Sequence, residues 1–234
     1  MKRFFCVSLI NLFVLIFFSS ESHAVTVTCN IISSGDTVRG DQLLYNGRIW
    51  RNLYASIKGD QFLFSNEFLP GNVTMNGKSF NNLKLRYDIL NDEIITVTEK
   101  GLVIQLNKEM VDRFTIINKS RDYNFQHLCS DSMNMINGYF HLMYEGKSTL
   151  YVMYYKEISK RGPGKNYEDF VQSDRIYILK DNIIYNVRNK RDFSKVVSDK
   201  KHEIKEYVHG TGLKINRKEP ESFALVLQYY DSIR

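Results

Sequence analysis

The sequence predicts a mainly β (α+β) protein: an antiparallel meander, as a strongly curved sheet or open barrel, with two short C-terminal helices packed on it. Three observations lead there. Apolar and polar side chains alternate with a period of two over much of the chain beyond residue 70. Turn-forming dipeptides such as Asn76-Gly77 and Asp181-Asn182 punctuate that alternation. The period lengthens to that of a helix only within residues 198–234.

Taken in order, Val73 and Met75 flank Thr74 ahead of Asn76-Gly77, a pair suited to a tight hairpin because both residues accept positive φ. Leu83, Leu85, Tyr87 and Ile89 then share one face, and Lys84, Arg86 and Asp88 the other, which is a half-buried strand. Asn91-Asp92 turns the chain into Ile94, Ile95 and Val97, and Glu99-Lys100-Gly101 turns it again into Leu102, Ile104 and Leu106. The pattern continues in "VDRFTII", in "GYFHLMYEGKSTLYVMYYKEI" around Glu145-Gly146-Lys147, and in "RIYILKDNIIYNVR". Short connections join neighbours, so the strands form a meander. Between the last two groups, "SKRGPGKNYEDFVQSD" is expected as an exposed loop or mobile hairpin tip. Ser198 is the expected N-cap of a first helix that stops at Gly210 and Gly212. Asn216 and Glu219 cap a second, with Pro220 in its first turn and Phe223, Val226, Leu227 and Tyr230 on one face.

The N-terminus sets the compartment. Lys2 and Arg3 precede an apolar run from Phe4 to Phe18, and Ser22-His23-Ala24 supplies the small residues that a signal peptidase reads. Residues 1–24 are therefore expected to be a signal peptide, and 25–234 a single β-rich domain with a helical segment at 198–234. No transmembrane span is expected after cleavage. Two cysteines then remain, Cys29 and Cys129, and an oxidising compartment favours a disulfide between them. Such a bridge would close a loop of about 100 residues and contribute roughly 4–5 kcal/mol in the chain-entropy picture.

Charge is unevenly spread. Residues 25–155 hold 13 basic and 13 acidic side chains, whereas residues 156–219 hold 16 basic and 10 acidic ones. A basic face suits anionic lipid or acidic glycan, but acids interrupt it throughout, which favours a solvated surface. Nucleic acid is not an expected partner of an exported chain that carries no nucleic-acid motif.

Catalytic plans are mostly excluded for want of parts. There is no G-x-S-x-G, no phosphate-cradling glycine loop that would hold a cofactor, and no H-E-x-x-H among His127, His141, His202 and His209. No metal site is expected. Paired carboxylates remain open, since glycoside hydrolysis needs only two acids, and Asp88, Asp92 and Glu93 lie close in sequence. Asn91-Asp92 also has a turn role of its own. Aromatic residues supply candidate binding platforms: Trp50, the single tryptophan, and Tyr144, Tyr154 and Tyr155 of the hairpin at 139–155. Adjacent tyrosines face opposite sides of a strand, so one of Tyr154 and Tyr155 lies outward, unless cross-strand packing occupies it.

The succession "YNGRIWRNLY", "GDQFLFSNEFLPGNVTMNGKSFNNLKLRYDILNDEI" and "GLKINRKEPESFALVLQYYDSI" resembles a group of uncharacterised secreted proteins of gram-negative bacteria. Gly77, Phe80, Leu83, Leu85, Tyr87 and Asp88 carry the resemblance most specifically. It implies export to the periplasm or outer surface and a mostly β fold, and brings no catalytic residues with it. Three function classes follow: a non-catalytic, envelope-associated binding protein whose partner is an anionic lipid, glycan or protein; a periplasmic hydrolase using Asp88, Asp92 or Glu93; and a structural subunit of an envelope assembly.

Overall fold

A computed structural model of the chain describes residues 43–129, 136–160 and 168–234. The expected signal segment and Cys29 lie outside the described residues, as does most of the Gly162-Pro163-Gly164 loop. Eleven strands are described: β1 (Arg48–Ile49), β2 (Leu69–Met75), β3 (Lys78–Asp88), β4 (Glu93–Val97), β5 (Val103–Gln105), β6 (Val111–Asn118), β7 (Arg121–Cys129), β8 (Asn137–Glu145), β9 (Ser148–Lys160), β10 (Glu168–Lys180) and β11 (Ile183–Val187). They form one sheet in the order β1-β5-β4-β3-β2-β6-β7-β8-β9-β10-β11, and every neighbouring pair is antiparallel. From β6 onward the sheet is a plain meander.

Turn chemistry accounts for the hairpins. Asn76 and Gly77 have φ of 48° and 75°, and Asp181 and Asn182 have φ of 51° and 61°, the left-handed pairs that match strand twist. Lys119 and Ser120 adopt the same geometry, with φ of 49° and 60°, and lead into β7. That turn and strand carry weak sequence signals, because "RDYNFQHLC" places polar residues in both phases. The stretch expected as a loop from Ser159 to Asp174 is shorter than the sequence suggested: β9 runs to Lys160 and β10 resumes at Glu168, with thirteen paired positions between the two strands.

Three helices follow β11, where two were expected. The additional one, α1 (Lys190–Val196), is capped by Asn189, whose Oδ1 accepts from the backbone N–H groups of Arg191 at 2.9 Å and Asp192 at 3.1 Å. Phe193 and Val196 give it a buried side only two positions wide, too short for a periodicity to stand out. Next come a 3₁₀ turn at Ser198–Lys200 and α2 (Lys201–Thr211), so Ser198 caps no α-helix. Gly212 does end α2, at φ 65°. α3 (Glu221–Ser232) begins after Pro220, and Asn216 and Glu219 make a separate turn just before it. Phe223, Val226, Leu227 and Tyr230 are all buried, as their spacing requires.

The ladder is open, with β1 and β11 as its two ends. The expected strong curvature or open barrel therefore gives way to an open sheet. The physical reason lies in the helices: α3 packs on β8 and β9 and α1 on β11, so they cover the apolar face that closure would have enclosed. Leu150, Ile176 and Ile178 meet Phe193, Phe223 and Val226 in that core. A second core lies over the other half of the sheet and is aromatic. Phe114 and Phe125 stack at 4.6 Å, and Tyr87 meets both edge-on at 5.1 and 5.2 Å.

One irregular segment braces this second half. Lys58 N donates to Glu168 O at 3.0 Å, Leu63 N to Tyr87 O at 2.9 Å, and Ile89 N to Gln61 O at 3.0 Å. Lys156 N in turn donates to Ile89 O at 2.9 Å. The segment thus ties the end of β3 to β9 and β10, and it covers the polar face of β3. Arg86 and Asp88, whose alternation pointed to solvent, are buried in consequence.

Candidate functional site

The sheet's β1 end is where side chains converge on open space. "YNGRIW" reaches it because Gly47 allows a close approach to β5: a Cβ there would lie 2.0 Å from Gln105 O. Arg48 and Ile49 then pair with Gln105 and Ile104, and Trp50 N donates to Val103 O at 3.0 Å. β1 has only two residues, so the chain leaves the sheet at once, and two cavities open beside it.

The larger cavity, about 670 Å³, is walled by Asn46, Arg48, Asn107, Lys108, His127 and Asn137 among others, including Cys129 and Glu109. The smaller, about 280 Å³, is walled by Trp50, Arg51, Leu53, Tyr54, Asn91 and Glu93. Arg48 and Gln105 line both, so the two adjoin as compartments of the groove region beside β1. Arg48 is the partition. Its Nε donates to Gln105 Oε1 at 2.7 Å and its Nη2 to Glu93 Oε1 at 2.9 Å. Burial raises the Glu93 pKa, and the Arg48 guanidinium opposes that shift.

Trp50 is held from behind. The Arg86 guanidinium sits 4.9 Å from its ring, 4.5 Å from Phe62 and 4.0 Å from Phe68, an aromatic box around one cation. Arg86 Nη1 donates to Asn66 O and Oδ1, at 3.1 and 2.9 Å, which locks the box. Desolvation lowers the Arg86 pKa, and Asp60 pulls it back up.

Behind the larger cavity, Asp92 gathers donors. Tyr87 Oη donates to it at 2.6 Å, Lys108 Nζ pairs with it, and Tyr139 N donates at 3.3 Å. Burial, and then this carboxylate, push the Tyr87 and Tyr139 hydroxyls well above the usual phenol range. His127 Nε2 lies 3.2 Å from Asn137 Oδ1, and burial lowers its pKa. The groove therefore presents amides, a neutral imidazole, the cations Arg48 and Lys108 already engaged by carboxylates, and Arg51.

The three acids of the hydrolase alternative are each held by other partners. Asp88 is fully buried and accepts from Leu90 N, Asn91 N, Asn91 Nδ2 and Gln61 Nε2, so it holds its own turn. Asp92 is committed to Tyr87, Lys108 and Tyr139, and Glu93 to Arg48. Of the expected binding residues, Trp50 lines the smaller cavity, and the three tyrosines line neither of these two. Tyr144 Oη donates to Asp231 Oδ2 at 3.0 Å, anchoring α3. Tyr154 Oη meets His141 Nδ1 at 3.1 Å inside the aromatic core, and Tyr155 lies under Arg175 at 4.6 Å. Sequence reasoning missed the amides Asn46, Gln105, Asn107 and Asn137, which carry no motif and come from separate segments.

The basic C-terminal third is threaded with acids in space as in sequence. Lys180 pairs with Asp199 at 2.9 Å, Lys200 with Glu203 at 3.5 Å and Arg217 with Asp174 at 3.7 Å. Among the described residues no group of three or more His, Cys, Asp or Glu could hold a metal ion, and no helix is long and apolar enough to cross a membrane. No protein-family model, no curated protein and no solved structure matches the chain.

Proposed function

We propose that this is an exported, non-catalytic, envelope-associated protein of a gram-negative bacterium that binds its ligand in the groove beside β1. One observation carries the reading: two adjoining cavities share Arg48 and Gln105, present Trp50 and side-chain amides, and stand on a rigid sheet. The N-terminal signal pattern and the resemblance to secreted β-rich proteins support export, and the Cys29–Cys129 disulfide belongs to the same proposal.

The hydrolase reading finds less support. Two acids some 5–10 Å apart must face one space for glycoside hydrolysis. Each compartment has a single carboxylate in its wall, Glu109 in the larger and Glu93 in the smaller. A structural-subunit reading retains one specific observation, the exposed Ile49, Leu53 and Leu102 at or beside the β1 and β5 edge.

The test uses the protein expressed with its own leader and recovered from the periplasm. Immobilised, it is expected to retain one class of envelope fraction, lipid, glycan or protein, saturably, and Trp50→Phe with Arg48→Ala is expected to abolish retention. Retention unchanged by that double substitution would remove the groove from the proposal. Accumulation of the uncleaved chain in the cytoplasm would remove export.

A further inference from the structure

We infer that the groove takes an uncharged oligosaccharide of more than one ring, stacked on Trp50 in the smaller compartment and read by amides in the larger. The inference rests on the ligand-binding reading above and names its ligand class.

The wall chemistry selects hydroxyl groups. Asn46 carries a side-chain donor and acceptor on one planar group, and Asn107 and Asn137, whose Oδ1 atoms are engaged by Glu109 N and His127 Nε2, each at 3.2 Å, keep their amide N–H donors, a combination that matches a sugar hydroxyl or acetamide. The charges argue against an anionic ligand. Arg48 is engaged by Glu93, Lys108 by Asp92, and the two charges left in the walls, Arg51 and Glu109, have opposite signs. A phosphate or carboxylate at Arg48 or Lys108 would have to displace a carboxylate already in place.

Stacking needs a flat, rigid platform, and Trp50 is one. Phe62 at 5.9 Å and Arg86 at 4.9 Å fix the ring, so stacking on it would cost little further ordering. The compartments lie on either side of Arg48, which calls for a chain of rings. The larger, about 670 Å³, is in the roughly 300–1,000 Å³ range of small-molecule sites.

Trp50 is also the only tryptophan, so its fluorescence reports this site alone. The exported protein would be titrated with chitotetraose, cellotetraose and maltotetraose, with their disaccharides, with trigalacturonate, and with phosphatidylethanolamine–phosphatidylglycerol vesicles. At least one neutral tetrasaccharide should shift the emission saturably and bind about 10-fold tighter than its disaccharide, a gap of about 1.4 kcal/mol. By calorimetry, Asn46→Ala, Asn137→Ala and Trp50→Phe should each weaken it by roughly 5- to 10-fold while circular dichroism stays unchanged. The inference is overturned if no neutral oligosaccharide in the panel binds, if di- and tetrasaccharide bind alike, or if the three substitutions leave affinity unaltered. Should trigalacturonate bind instead, weakened by Trp50→Phe, the uncharged class falls, and should vesicles bind so, the sugar class falls, while in both cases the groove stands. Loss of groove-dependent binding to every probe and every envelope fraction would sink both.

Discussion

The β8–β9 hairpin and the two-residue strand β1 use aromatic side chains in opposite ways. The hairpin holds Tyr139, Phe140, Tyr144, Tyr151, Tyr154 and Tyr155, and each is engaged within the molecule. Tyr139 meets Phe114 at 5.1 Å, Phe140 meets Tyr177 at 5.4 Å, and Tyr151 Oη donates to Gln126 Oε1 at 3.3 Å. β1 leads to one indole, and that indole faces a cavity. In a wide sheet, aromatic density in central strands is spent on cross-strand packing. Availability comes at an edge, where a short strand fails to cover its neighbours.

If the hairpin is architecture, damage to it appears as lost stability, and the largest effect should be at its most buried ring. Tyr139 is fully buried, packs on Phe114 and Tyr87, and donates to Lys108 O at 3.2 Å. Tyr139→Ala should destabilise by about 3–5 kcal/mol in urea unfolding, and Tyr139→Phe by about 1 kcal/mol. A Tyr139→Ala variant with native stability and weakened ligand binding would reverse the comparison.

Acid should reach the same hairpin through His141. It is buried between Phe125 and Tyr154, and desolvation lowers its pKa from 6.5 to about 4. The unfolded chain therefore takes up a proton below about pH 6.5 that the folded chain refuses until about pH 4. Stability from this group is complete above the higher value and falls across the interval, by roughly 3 kcal/mol at its lower end. Unfolding measured from pH 7 to pH 4 should show that loss, and His141→Phe should remove most of it. Equal pH slopes in the two proteins would discard the explanation.

How much of this could be read from the chain depends on whether the cause was local. Asn76-Gly77 and Asp181-Asn182 announce their hairpins because the turn geometry is written in the dipeptide. Lys119-Ser120 folds the same way, yet nothing in those two residues demands it; the pairing of β6 with β7 imposes it. Arg86 and Asp88 obey the alternation and are still buried, because a segment some twenty residues upstream covers them. Trp50 stood out as the single tryptophan, and the groove could not. Its walls come from residues within 46–54, 91–93 and 105–109, from Gln61, from His127 and Cys129, and from Asn137, which only the fold brings together.

A smaller stability effect should come from the clamp that fixes α3 to the hairpin's turn. Asp231 accepts from Ser148 N at 2.8 Å, Ser148 Oγ at 2.9 Å and Tyr144 Oη at 3.0 Å, with no cation among them. Asp231→Ala strands a buried backbone N–H and a hydroxyl, at a cost of about 1–3 kcal/mol. Hydrogen exchange should then speed up in α3 and at Ser148 ahead of global unfolding. Uniform acceleration throughout the sheet would show that the clamp is not a local device.

The smallest stability change is expected on the other side of the comparison, at Arg48. Its side chain is 73% exposed, so its ion pair with Glu93 is screened and Arg48→Ala should alter stability by less than about 1 kcal/mol. Glu93 is only 19% exposed, and its pKa already stands above the usual carboxylate value because burial outweighs the guanidinium. Without Arg48 the opposing influence vanishes, so Glu93 should hold its proton to still higher pH, as carboxyl NMR titration would show. A substitution nearly silent in unfolding would thereby remove the side chain between two compartments and raise the pKa of a carboxyl in the wall of the smaller one. If Arg48→Ala instead unfolded the β1 edge, that edge would be scaffold like the hairpin, and the division between packing aromatics and an available one would lose its basis.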